Sequence, residues 1–145
     1  MKTLNISALF VSVLLVSCSR EPVPLSYGKD PCEHCKMTIM DTKYGAEIVT
    51  AKGKIFKFDA AECMVDFIND NPGKYNAPGD MLLTTNVAAP ETLIDARSAF
   101  FLKDKAFKSP MGGNLASFNS RQLAENNLQN ADGTILTWDE LLSGR

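Results

Sequence analysis

The chain has 145 residues, a formal net charge of −2 and 45% hydrophobic residues. That faint acidity excludes the electrostatic footprint of a nucleic-acid-binding protein, and the hydrophobic share excludes a disordered chain. The length suits one compact domain or two small subdomains after a leader.

Met1-Lys2 is a short positive n-region, followed by an apolar run over 4–16 that only Asn5, Ser7 and Ser12 interrupt. The run falls short of the roughly 20 apolar residues of a membrane-spanning helix, so residues 1–17 read as a cleaved secretory signal. It closes with Leu15-Val16-Ser17-Cys18, an order similar to a bacterial lipobox. Cys18 is therefore the expected lipidation site, where several acyl chains would anchor the protein at about 0.8 kcal/mol per buried CH₂. Residues 18–30 are polar and carry Pro22, Pro24 and Gly28, which predicts a flexible tether. Such a segment would span at most roughly 40 Å.

The folded part is expected over 31–145 and begins with Pro31-Cys32-Glu33-His34-Cys35-Lys36-Met37. Two thiols, an imidazole and a thioether in so short a stretch make one side of a soft-metal site. Residues 44–51 and 54–58 alternate as strands around Gly53, a hairpin pattern. Asp59 then stands as an N-cap with Glu62 as capping-box partner, and the helix runs to about Asn69 before Asn71-Pro72-Gly73. Its Cys63, Met64, Phe67 and Ile68 share a face. Residues 81–85, 92–96 and 100–102 are further strands, with Met40 and Met81 expected in the core or in strands. Lys108-Ser109-Pro110-Met111-Gly112-Gly113 is a loop that presents a methionine sulfur.

Residues 115–118 lead into Asn119 and Gln122, a second cap pattern, and a helix to about Leu128. Asp132-Gly133 turns the chain into a strand over 134–138 and a helical tail from Asp139. Phe58-Asp59-Ala60-Ala61-Glu62 parallels Phe118-Asn119-Ser120-Arg121-Gln122, which suggests a degenerate repeat. The expected fold is α+β, with two small ββαβ-like units packed together and repeat halves at about 31–90 and 91–145.

With Cys18 assigned to lipid, Cys32, Cys35 and Cys63 remain of the four cysteines, and an odd number cannot all pair within one chain. Thiolate and thioether are soft donors that favour Cu(I), with Zn(II) and iron–sulfur clusters open to the thiolates. Cys35 and Met37, two apart on an extended chain, would point the same way, and Met111 is the natural third ligand. Cys32, Cys63, Met64 and His34 are secondary candidates. Cys32 and Cys35 form a simple disulfide in the competing view, while Cys63 and Met64 serve only as core packing. No Ser-His-Asp, nucleotide-loop or paired-carboxylate pattern stands out, so the chain is not expected to be an enzyme. The alternative is a membrane-tethered thiol–disulfide oxidoreductase using the CxxC, and a third option is a structural lipoprotein in which CxxC is a staple.

The chain resembles the NosL family, accessory lipoproteins of nitrous-oxide reductase maturation. The resemblance lies in Cys18, Cys35-x-Met37, Gly45-Ala46-Glu47-Ile48, Phe58-Asp59, Ile94-Asp95-Ala96-Arg97-Ser98-Ala99, Pro110-Met111-Gly112 and the closing Gly133-Thr134-Ile135-Leu136-Thr137-Trp138-Asp139-Glu140. It implies a copper chaperone lipid-anchored in the bacterial cell envelope and facing the periplasm. Such a protein binds one Cu(I) and passes it to a copper-site assembly apparatus or a client copper enzyme. The ligands implied are Cys35, Met37 and Met111. The usual Cys-Gly-Met appears here as Cys35-Lys36-Met37, and Cys32 and Cys63 are additional thiols.

Overall fold

The computed structural model describes residues 20–145, so the expected signal peptide over 1–17 and the expected lipid-bearing Cys18 lie outside the described residues. Strands β1 (Ala46–Val49) and β2 (Ile55–Phe58) form the expected antiparallel hairpin. Its turn places Gly53 at φ +81°, a region in which a side chain is strained. Helix α1 (Ala61–Asp70) follows, and β3 (Met81–Thr85) returns antiparallel along the free edge of β1, with Ile48 opposite Leu82. Strand β4 (Leu93–Asp95) adds to β3, giving a sheet of order β2-β1-β3-β4.

The second unit repeats the plan. Strands β5 (Phe100–Lys103) and β6 (Leu115–Phe118), helix α2 (Arg121–Asn126) and strand β7 (Thr134–Leu136) form a sheet of order β6-β5-β7, before a closing helix α3 (Trp138–Ser143). In both units the first strand is central. Ala46 pairs with Phe58 in one and Phe100 with Phe118 in the other. Phe58 and Phe118 are both wholly buried, each plugging the base of its helix, so the repeated aromatic is an anchor for the strand-to-helix crossing.

The units are one packed body. Helix α1 rests on β1 and β2 and also reaches β6 and α3, and the main core runs from Ile48 and Phe58 through Met64 and Val65 to Phe101 and Trp138. The sheets meet where Thr84 and Ser117 share a buried hydroxyl contact of 2.9 Å and Val87 N–H donates to Ser117 C=O at 2.9 Å. Burying such polar groups is tolerated because each has a partner.

Four local expectations change. Strand β4, which a division at residue 90 would put in the second half, pairs with β3, because the edge of β3 still offers unpaired backbone groups. The N-cap of α1 is Ala60, which makes no side-chain cap bond, and that of α2 is Ser120, whose hydroxyl accepts from Leu123 N–H at 3.3 Å. Trp138 opens α3 instead of ending β7, since Thr137 and Glu140 make a reciprocal capping box. The segment expected as tether is docked from Val23 onward. Val23 N–H donates to Glu47 Oε1 at 3.0 Å, and Leu25 is buried in the core against Gly45.

Candidate metal centre

Residues 30–39 fold back on themselves. Pro31 bridges Thr38, Ile39 N–H donates to Asp30 C=O at 2.9 Å, and Cys32 N–H donates to Met37 C=O at 2.7 Å. Lys36 N–H closes the turn onto Cys32 C=O at 3.0 Å, with Lys36 at φ +62°. The Cys35-Lys36-Met37 stretch is thus a left-handed turn and not the extended chain expected from the sequence. Two contacts fix it to β2: Glu33 N–H donates to Lys57 C=O at 2.8 Å, and Lys57 Nζ lies 2.6 Å from Asp30 Oδ2.

This docking carries the loop to the start of α1, where Cys63 waits on the first turn. The sulfurs of Cys32, Cys35 and Cys63 all lie within 4.8 Å of one another, and none is in a disulfide. Cys32 and Cys63 are wholly buried, whereas Cys35 is partly open. Thiolates on a soft ion at about 2.3 Å sit about 4 Å apart in a trigonal arrangement, so the trio fits one soft metal with a small contraction. The sulfur chemistry agrees, being that of Cu(I) or Zn(II) and not of a hard cation.

The thiols do not share one acidity. The Cys63 S–H donates to Cys32, and with the backbone N–H groups of Asp59 and Cys35 it stabilises a Cys32 thiolate, whose pKa falls to about 5. Cys63, as the donor in that bond, is held protonated and its pKa rises. Burial, above all, raises Cys35. Thiols bind a soft metal as thiolates, so loading the trio would release protons.

Met111 lies on the loop between β5 and β6. Its loop closes with Gly112 N–H donating to Ser109 C=O at 2.9 Å and Gly112 at φ +71°. Ser109 donates its hydroxyl to the buried carboxylate of Glu62, and a Cβ on Gly113 would stand 2.7 Å from Glu62 Oε1. Glu62 is therefore no capping-box partner. It clamps the Met111 loop to the residue next to Cys63, and Gly113 is needed for the close approach. Met111 and Met37 are both exposed, at 38% and 56%.

Of the residues singled out from sequence, Cys32, Cys35 and Cys63 converge. Met37 adjoins them through its N–H, which donates to the Cys35 sulfur. Met111 stands exposed on its clamped loop. Met64 is buried in the apolar core, and His34 Nδ1 faces Asp70 Oδ2 at 3.7 Å, outside the trio. Met40, expected in the core or a strand, is 67% exposed. Sequence reasoning missed Asp59 as a donor to Cys32 and Ser109 as the anchor of the loop. The paired glycines beside Met111 were the one signal of a tight approach there.

The family model of NosL matches residues 22–144. The chain belongs to the NosL family. The fold agrees with that of the crystal structure of the copper chaperone NosL from Shewanella denitrificans, with a TM-score of 0.72 at 19% identity over 88% of this chain and 99% of that one. None of the curated proteins matches the chain significantly. At this identity the likeness carries the NosL fold, two antiparallel sheets with few helices, and leaves the ligands to be argued from the residues.

Proposed function

We propose that the chain is a membrane-anchored copper chaperone that binds one Cu(I) and delivers it in nitrous-oxide reductase maturation, through the assembly apparatus or to the enzyme itself. The observation that carries this reading is the convergence of three cysteine sulfurs within 4.8 Å of one another. Cys35 is the pivotal ligand. It lies within 4.8 Å of the buried pair Cys32 and Cys63 and two residues before the exposed Met37, and Met111 is the third donor proposed. Cu(I) accepts such soft donors in low coordination, so two or three of these sulfurs would suffice to hold it. Membership of the NosL family and the likeness to the Shewanella copper chaperone support copper as the cargo, and a lipid on Cys18 would hold the protein to the envelope.

The oxidoreductase alternative needs an acidic thiolate open to a substrate disulfide. Here the acidic thiol, Cys32, is wholly buried and the accessible one, Cys35, is shifted upward, so the arrangement opposes that chemistry. The test is a titration of the reduced chain from Ser19 with Cu(I) against a chromogenic chelator, anaerobically, with Zn(II) in parallel. Tight one-to-one Cu(I) binding is expected, and failure to compete for Cu(I) overturns the reading.

A further inference from the structure

The end of the β1–β2 hairpin remote from the cysteines carries cations that copper handling does not use. Lys52 and Lys54 flank Gly53 on the turn, and Lys74 reaches the same pocket of about 360 Å³ from the loop after α1. All three are exposed, and among the described residues none has a carboxylate partner. Lys54 Nζ stands 4.4 Å over the ring of Phe56. The one acid lining the pocket, Asp80, is occupied: Ala51 N–H donates to its Oδ1 at 2.8 Å and Ala77 N–H to its Oδ2 at 3.0 Å. It braces the turn and leaves the ammonium groups unpaired.

The N-terminal segment arrives at the same tip. Arg20 donates from Nη1 to Ala51 C=O at 3.3 Å, adding a fourth cation. Cys18 is two residues before Arg20, within a reach of about 7 Å. The cysteine trio lies at the opposite end of the hairpin, where Glu33 and Asp59 join the loop to β2. Strands of this length, at about 3.3 Å per residue, hold the two ends roughly 13 Å apart.

We infer that the turn bearing Lys52, Lys54, Lys74 and Arg20 is a membrane-apposed face that receives anionic phospholipid headgroups, so that the metal centre is directed away from the bilayer. Ammonium and guanidinium groups gathered on one small surface suit the phosphodiesters of an anionic leaflet. The orientation rests on the lipid anchor proposed at Cys18. The headgroup contact is a property of the folded chain alone.

The test uses the chain from Ser19, which keeps every described element, sedimented with vesicles of phosphatidylcholine alone or mixed with phosphatidylglycerol. Association is expected only with the anionic vesicles and is expected to weaken with salt. A lysine near such a surface is worth roughly fivefold in partitioning, so the triple variant Lys52→Gln, Lys54→Gln, Lys74→Gln loses on the order of a hundredfold. Its Cu(I) affinity is expected to match that of the parent, and its melting temperature to fall by only the few degrees that loss of the Lys54–Phe56 contact costs, which separates lost headgroup contact from misfolding. Equal sedimentation with both vesicles, parental binding by the triple variant, or binding of inorganic phosphate without vesicle association overturns the inference. Loss of Cu(I) binding with vesicle binding intact would instead count against the copper function alone.

Discussion

Ser109 donates its hydroxyl to the carboxylate of Glu62, a residue 47 positions earlier in the chain. Through that bond the loop bearing Met111 is tied to the helical turn bearing Cys63, so two regions distant in sequence are held together. Leu115 N–H also donates to Ser109 Oγ at 3.3 Å, so the hydroxyl links loop, strand and helix at once.

Replacing Ser109 by Ala should therefore act on copper without removing a sulfur. The buried Glu62 carboxyl loses its partner, at about 1–3 kcal/mol of stability, and the Met111 loop loses its clamp. Urea unfolding and Cu(I) competition on the same variant should show both losses. An unchanged copper affinity would detach the loop from the site.

Sulfur deletions separate the inner and outer donors. Cys35→Ser should lower Cu(I) affinity most, because it removes the ligand common to both sets. Cys63→Ser and Met111→Leu should each lower it by about tenfold, near 1.4 kcal/mol. Met111→Leu should leave stability within about 0.5 kcal/mol, as an exposed substitution does. If Cys63→Ser binds Cu(I) as the parent does, the buried thiol is a packing residue and the outer set suffices.

Thiol alkylation gives an independent reading of the same geometry. Cys35 is partly open while Cys32 and Cys63 are wholly buried, so iodoacetamide should modify Cys35 first in the native, reduced chain. Burial shifts the Cys35 thiol upward, so its rate should titrate above the range of an ordinary thiol. Mass spectrometry of the digested protein locates the label. First labelling at Cys32 would contradict the packing.

Glu47 makes the stability of the chain depend on pH in an unusual direction. The side chain is wholly buried in β1, one oxygen accepts from Val23 N–H, and Oε2 has no partner. Burial raises its pKa, so the native state keeps a proton that the unfolded chain has already released. Its contribution is full below the unfolded value of about 4.3 and is lost as pH rises through the folded value. Glu47→Gln should raise the melting temperature at pH 7 relative to pH 4, and thermal melts across that range would reveal the difference. An identical pH profile in the variant would assign the charge elsewhere.

Two backbone positions are open to direct tests. Lys36 sits at φ +62°, where a side chain costs roughly 1–2 kcal/mol, partly offset by the greater entropy that glycine loses on folding. Lys36→Gly should thus be neutral or stabilising by about 0.5 kcal/mol and leave copper affinity unchanged. Gly45→Ala should be severe, because a Cβ there meets Leu25 Cδ1 at 2.3 Å, while Leu25→Ala should cost about 2–3 kcal/mol of core packing. Chemical denaturation measures all three.

Much of the architecture was legible one segment at a time. The alternation around Gly53, the stop at Asn71-Pro72-Gly73 and the parallel between Phe58 and Phe118 are written in neighbouring residues, and the observed ββαβ units follow them closely. The errors arose where a side chain had a choice of partners. Glu62 has the spacing of a capping box but is taken by Ser109, and Met40 is apolar yet exposed. Leu25, in a segment rich in proline, is drawn into the core by the space that Gly45 leaves.

By itself the sequence determined the strands and helices, the repeat and the soft chemistry of the donors, because periodicity, turn residues and ligand type are local properties. Only the tertiary structure decided that Cys63 joins Cys32 and Cys35, that Met64 one position later does not, and that the cations gather at the far end of the hairpin. Those outcomes depend on which face of α1 lies on the sheet and on how loops distant in sequence dock against it. Such docking is set by the packing of the whole core, which no single stretch of residues contains.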